Sequence, residues 1–381
     1  MLQRLRLLAA TQLVWFALCH SAVGATVGFT SPKNYSVDTS PFNVTTGMVM
    51  GDFNGDGNVD LAVANSGAAP LGDDGNVCVL LGNGDGTFQA AKNFPAGKNP
   101  SFIAVGDFDG DGRSDLLVIN PGDSSSGVIG GVSLLLAKPD GTLKPPVNIL
   151  TGYSPSSIVV GDLNGDQKLD VAIAGGDASG YQLFVLLGNG NGTFRTPVTS
   201  GLGNSLVIAG DINGDGKIDL MGTAQFNCGS EELCGKFVIL LGNGDGTFQP
   251  PLDYFAPGQG QISSLTAGDF NGDSRLDLTI TWSNNVFAPA ITSVLLNNGD
   301  GTFRDSFDTY GNVEGVGDFD GDGKLDLLGR NYYGAQVFLG NGDGTFQSPL
   351  NFVGQGFFSA GDLNGDRLPD VVAIKPRAAS A

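Results

Sequence analysis

The residues of this chain best equipped for chemistry are carboxylates set at alternate positions, in a nine-residue pattern D-x-[DN]-x-D-x-x-x-D that occurs seven times. Side-chain oxygens at positions 1, 3, 5 and 9, joined by the backbone carbonyl of position 7, can converge on one hard cation in a tight turn, and such donors suit calcium. The candidate ligands are Asp52, Asn54, Asp56, Asn58 and Asp60 in the first loop, then Asp107, Asp109, Asp111, Arg113 and Asp115 in the second. The third and fourth loops offer Asp162, Asn164, Asp166, Lys168 and Asp170, and Asp211, Asn213, Asp215, Lys217 and Asp219. The fifth offers Asp269, Asn271, Asp273, Arg275 and Asp277, and the sixth Asp318, Asp320, Asp322, Lys324 and Asp326. The seventh offers Asp362, Asn364, Asp366, Leu368 and Asp370. Position 6 is glycine in four copies, as a sharp turn favours, but Gln167, Ser274 and Arg367 in the others, where weaker binding is expected. Pro369 is a further irregularity in the last. The loops hold 23 of the 39 acidic residues, and so many like charges in short turns would repel one another without a divalent ion.

The elements around these loops are strands. An EF-hand needs a Glu at position 12 and flanking helices, whereas position 12 is Val63, Val118, Ile173, Gly222, Ile280, Gly329 and Ala373. The flanks alternate as strands do, as in Val59-Asp60-Leu61-Ala62-Val63-Ala64. Loop starts are 55, 55, 49, 58, 49 and 44 residues apart, a period that suits a propeller blade of four short strands, with a solenoid as the second reading. A second motif lies 26 to 29 residues into most repeats, in the form LLGNGDGTF at Leu80 and Leu240 and close variants at Leu135, Leu186, Leu295 and Phe338. Its Asp-Gly or Asn-Gly centre between apolar runs is a tight hairpin turn, and structure explains it better than a second cation site. The composition agrees: 61 glycines and only 15% charged residues in 381 leave little for solvated helices. A net charge of -20 without basic tracts excludes nucleic acid and anionic membranes as natural partners.

The first 25 residues differ from the rest. Arg4 and Arg6 precede an apolar run from Leu7 to Leu18 and then small residues to Ala25, which reads as a secretory signal peptide cleaved after Gly24 or Ala25. The run is shorter than the roughly 20 residues a membrane span needs. Its removal takes away His20, the one histidine, so the mature chain would have no histidine-based triad and no histidine-ligated zinc. Cys228 and Cys234, six positions apart in a polar loop, are expected to form a disulfide, and Cys78 to be a buried thiol. The expected organisation is a signal peptide at 1–25, one propeller domain at 26–376 and a short tail at 377–381.

The pairing of GDFNGDGxxDLxV with VxLLGNGDGTF resembles the FG-GAP and VCBS-type repeats of integrin α-subunit propellers and many bacterial secreted proteins. The resemblance covers nearly all of the chain after residue 25. It implies an all-β, seven-bladed propeller with calcium-binding loops between strands 1 and 2 of each blade. Blade 1 would then run from about Met48 to Phe94. Phe29 to Tyr35 resembles Phe88 to Phe94, a stray fourth strand expected to close the last blade and to leave it three-stranded.

Parity places the acidic loops and hairpins on one face and the variable segments on the other: Ser66 to Asn76, Pro121 to Gly131, Gly175 to Gly180, Cys228 to Cys234, Trp282 to Pro289, and Asn331 to Gly334. A ligand is expected there, with Trp282, Tyr332 and Tyr333 as candidate contacts among aromatics that include Tyr181, Phe226 and Phe287. The functional expectation is a secreted or cell-surface adhesion module for a protein or glycan, extracellular or periplasmic. A calcium-dependent, lyase-like polysaccharide-degrading enzyme and a purely structural surface protein are the alternatives. No unrepeated Lys, Arg or Tyr cluster near a metal stands out in the sequence to favour the enzyme.

Overall fold

The computed structural model describes residues 12–17, 19–22, 26–29, 33–38, 44–67, 75–122, 130–177, 180–200, 206–227, 233–255, 261–283, 290–331, 334–353 and 357–375. These are strands and turns with no helix, so no helix among them is long and apolar enough to cross a membrane. The strands form seven four-stranded antiparallel sheets and a separate pair, Cys19–Ala22 with Thr26–Phe29. Six of the sheets take four consecutive strands each. In the first these are Val44–Gly51, Asp60–Ser66, Asn76–Leu80 and Lys92–Pro95.

The chain is thus an all-β propeller of six self-contained blades, and the expectation of seven such blades is corrected. The last acidic repeat overturns it. Its strands Phe357–Gly361 and Asp370–Lys375 form half of a composite sheet, in the order Phe357–Gly361, Asp370–Lys375, Gln12–Ala17, Lys33–Asp38. The edge of Asp370–Lys375 pairs with Gln12–Ala17, which in turn pairs with Lys33–Asp38, so the third and fourth places are filled from the N-terminal side of blade one. Register runs Leu13 to Lys375 on one side and Val14 to Tyr35 on the other. The sheet is therefore four-stranded and not the three-stranded unit expected. Gln12–Ala17, inside the expected signal peptide, takes the third place.

The first strands are Val44–Gly51, Phe102–Gly106, Ser154–Gly161, Leu206–Gly210, Gln261–Gly268 and Asn312–Gly317, followed by Phe357–Gly361 of the composite sheet. Each touches the next, and the last touches the first, which closes the ring. Second strands are buried along most of their length, and Asp115–Asn120 throughout, because a blade is covered by neighbours on both faces. The core is therefore a series of layers between blades. Phe53, at position 2 of its acidic loop, is fully buried with Ala62 and Val79 of its own blade and Ile103, Leu116 and Val118 of the next. Burying one such side chain stabilises by about 1.5–3 kcal/mol, so position 2 anchors each loop to the ring.

Candidate functional site

Each acidic loop is built by its own carboxylates. Asp52 accepts the backbone N–H groups of Gly55 (2.7 Å), Asp56 (3.2 Å) and Gly57 (2.8 Å), and Asp56 Oδ1 accepts that of Asn58 (2.8 Å). The same pattern appears around Asp211 and Asp318. To reach these amides, position 6 is left-handed. Gly57 has φ 83°, and Gln167 (64°), Ser274 (64°) and Arg367 (71°) adopt the same region against the preference of a residue with a Cβ. The three variant loops keep the turn at the cost of strain.

Position 9 plays a part that spacing alone does not reveal. Asp60 is fully buried, and its carboxylate accepts the N–H of Phe53 (2.8 Å) with one oxygen and that of Gly82 (2.7 Å) with the other. Gly82 opens the hairpin motif, so this side chain ties the two repeated motifs together. Asp115, Asp170, Asp219, Asp277 and Asp326 do the same. Burial raises the pKa of Asp60, Asp115 and Asp326 to about 6 and pushes Asp170, Asp219 and Asp277 in the same direction. The hairpins in turn latch neighbouring blades. Gly192 donates to Phe108 O (2.8 Å), Gly246 to Leu163 O (3.1 Å), Gly344 to Phe270 O (3.0 Å) and Gly86 to Leu363 O (3.1 Å), each time reaching position 2 of the preceding acidic loop.

The carboxylates are partly compensated without an ion, which weakens the argument from repulsion. The position-7 cation folds back on the position-5 carboxylate in five loops, pairing Arg113 with Asp111, Lys168 with Asp166, Lys217 with Asp215, Arg275 with Asp273 and Lys324 with Asp322. Two loops nonetheless group three carboxylates with ligand oxygens within 4.8 Å of one another: Asp107, Asp109 and Asp115, and Asp318, Asp320 and Asp326. These are the copies with Asp instead of Asn at position 3. Asp109 Oδ1 is buried with no hydrogen-bond partner in its surroundings, and a cation fits that vacancy in its hydrogen bonding.

The opposite face is different. Trp282 is buried, 8% exposed, with its Nε1 donating to Ser293 Oγ (3.1 Å), and serves the core between blades four and five. Tyr332, Tyr333, Phe287 and Cys228 lie outside the described residues, and nothing is described for the side chains of Tyr181, Phe226 and Cys234. Cys78 is fully buried, as expected. The exposed aromatic side chains that the structure does describe here are Phe102 (40%), Phe255 (65%) and Tyr310 (69%), at strand ends away from the acidic loops.

Between the inner strands of blades five and six and the composite sheet, a cavity of about 320 Å³ is lined by Ser263, Ser264, Asn312, Glu314, Arg330 and Phe358. All lie at the ends of their strands remote from the acidic loops. Glu314 pairs with Arg330 and accepts the N–H of Phe358 (3.0 Å) across the seam, and burial raises its pKa. Sequence reading passed over this unrepeated pair. Its signal lies in aligning the repeats: four residues before the loop stand Met48, Ile103, Ile158, Val207, Leu265 and Phe358, but here Glu314. Four residues after position 9 stand Ala64, Ile119, Ala174, Thr223, Thr281 and Ile374, but here Arg330.

The profile of the FG-GAP-like repeat matches residues 52–118, 162–222, 227–280 and 318–373. No curated protein sequence matches the chain. Among solved structures, it is similar to an Agrocybe aegerita lectin described as recognising non-reducing terminal N-acetylglucosamine, at 20% identity and TM-score 0.59 over 96% of this chain and 95% of that one. The Dos1 propeller follows at 12% identity and TM-score 0.52, over 96% and 93%. A rhamnogalacturonan lyase of Bacillus licheniformis matches at 16% identity and TM-score 0.44, over 87% of this chain and 65% of the lyase. At these identities the likeness is one of fold.

Proposed function

Because the chain belongs to the FG-GAP-like repeat family, we propose that it is a secreted, calcium-loaded propeller that binds glycans on the face opposite its acidic loops. The observation that carries this reading is the exposure of Phe102, Phe255 and Tyr310 on that face. Exposed aromatic side chains offer a ligand on that face broad apolar contact area at little entropic cost. The fold shared with a lectin makes sugars the first class to test.

Calcium belongs to the construction side of the proposal. Asp107, Asp109 and Asp115, and Asp318, Asp320 and Asp326, are the groups best placed to hold it, and a bound ion would cross-link oxygens that otherwise rely on backbone amides and position-7 cations. Secretion rests on the first 25 residues. Gln12–Ala17 falls inside that segment, so maturation and the composite sheet compete for the same residues. The intact mass of the exported protein decides between them.

The test is a glycan array probed with the exported chain, with and without chelator. Retention on a subset of glycans is expected, reduced when Phe102, Phe255 and Tyr310 are replaced together by Ala. A blank array beside a positive protein pull-down would overturn the glycan reading.

A further inference from the structure

We propose that the cavity around Glu314 and Arg330 is a binding site for one neutral sugar ring, an inference that rests on the glycan-binding reading above. Burying a carboxylate and a guanidinium is expensive, and an ion pair of this kind is often no more stabilising than the apolar side chains it replaces. Here that replacement can be read within the same molecule. Blade five builds the same two positions from Leu265 and Thr281, so a blade can be built there without charge, and the one bond Glu314 makes across the seam, to the N–H of Phe358 (3.0 Å), does not require its guanidinium partner. The pair stands where the ring opens into a cavity.

The lining matches the chemistry of a pyranose. A planar carboxylate, a planar guanidinium and the Asn312 amide present paired acceptors and donors of the kind that engage adjacent hydroxyls. The Ser263 and Ser264 hydroxyls line the same wall, with Ser264 Oγ fixed by donating to Val313 O (2.8 Å). Phe358 closes the wall with its side chain packed in the core between blade six and the composite sheet, 9% exposed. The side chains of Arg330 and Glu314 are 34% and 15% exposed, so both are held by the protein yet reach the opening. A volume of about 320 Å³ suits one ring better than a chain of them. Charge selects the neutral class. The guanidinium is already balanced by Glu314, and the chain carries -20 overall, which disfavours uronates and sulfated sugars.

The test uses the full chain and the methyl glycosides of glucose, galactose, mannose, rhamnose and N-acetylglucosamine, followed by saturation-transfer NMR and calorimetry. At least one glycoside is expected to bind. The double variant Glu314→Leu, Arg330→Thr, which gives blade six the residues of blade five, should still fold, with its melting temperature lowered only by the lost bond to the Phe358 N–H, and lose affinity by about tenfold or more. Glu314→Gln, which preserves shape, should lose several-fold and serves if the double variant does not fold. Unchanged glycoside affinity in a folded variant overturns this site. If array retention also persists in that variant, the glycan reading stands without the cavity, whereas silence on both array and glycosides removes both.

Discussion

On the face that carries the acidic loops, successive repeats bring the same groups to the same partners. Position 1 gathers the loop amides, position 9 joins loop to hairpin, and the hairpin reaches the loop of the neighbouring blade. On the opposite face, among the described residues, Phe102, Phe255 and Tyr310 belong to different blades and strands, and the Glu314–Arg330 pair occurs once. Copying a residue around a ring is what construction requires, because every blade must solve the same packing problem. A residue that appears once, where its counterparts show the fold does without it, is free to serve recognition. The contrast makes position in the repeat a guide to role, and it can be broken.

The largest effect should come from position 9. Asp170→Ala would leave the buried amides of Leu163 and Gly188 unpaired, and a loss of about 3 kcal/mol or more is expected in denaturant unfolding. The Glu314→Leu, Arg330→Thr variant should by contrast lose only about 1 kcal/mol, for the single bond to the Phe358 N–H. If the two variants change places, the division between faces fails. Next comes the metal: chelation should lower the melting temperature of the calcium-loaded chain, and Asp109→Asn with Asp320→Asn should lower the calcium stoichiometry measured by elemental analysis. A melting curve indifferent to chelator would remove calcium from the account.

A smaller gain tests the strained turns. Gln167→Gly, Ser274→Gly and Arg367→Gly should each stabilise by about 0.5–1 kcal/mol, since glycine adopts the left-handed region without a Cβ clash. Loss of stability there would mean that these side chains hold contacts of their own. Smallest is Lys217→Ala. Its pair with Asp215 is a surface contact, so metal-free stability should shift by less than about 0.5 kcal/mol. Calcium affinity in a titration should rise, because a competing cation has gone.

Loops, hairpins and the propeller class were legible because each is local: alternate carboxylates, a Gly-centred turn and a regular period all sit within a few tens of residues. Closure was legible in part: the likeness of Phe29–Tyr35 to Phe88–Phe94 pointed to a fourth strand for the last blade, and Lys33–Asp38 takes that place. What an open strand edge does not state is which segment supplies the third strand, and Gln12–Ala17 lies within the apolar run that, with Arg4 and Arg6 before it and small residues after it, reads as an export signal. The double role of position 9 was hidden too, since a carboxylate that could ligate a metal and one that caps two amides have the same letter. Trp282 misled because an aromatic at a strand's end gives no sign of facing inward to Ser293. Glu314 and Arg330, 16 positions apart, look like ordinary surface charges until the repeats are superposed.

The composite sheet also sets an order of events. Leu13 pairs with Lys375, so Gln12–Ala17, where it is retained, finds its place in the sheet only after Asp370–Lys375 has been made. Six blades can assemble as the chain emerges, each from neighbouring residues, while the ring waits as an open arc with an unpaired edge at either end. Joining ends so far apart costs only modest additional chain entropy, because that term grows with the logarithm of the length. The step is nevertheless slow to reward, since its contacts are the most non-local in the molecule. Until it occurs, the arc is the form exposed to proteases and to pairing with other chains.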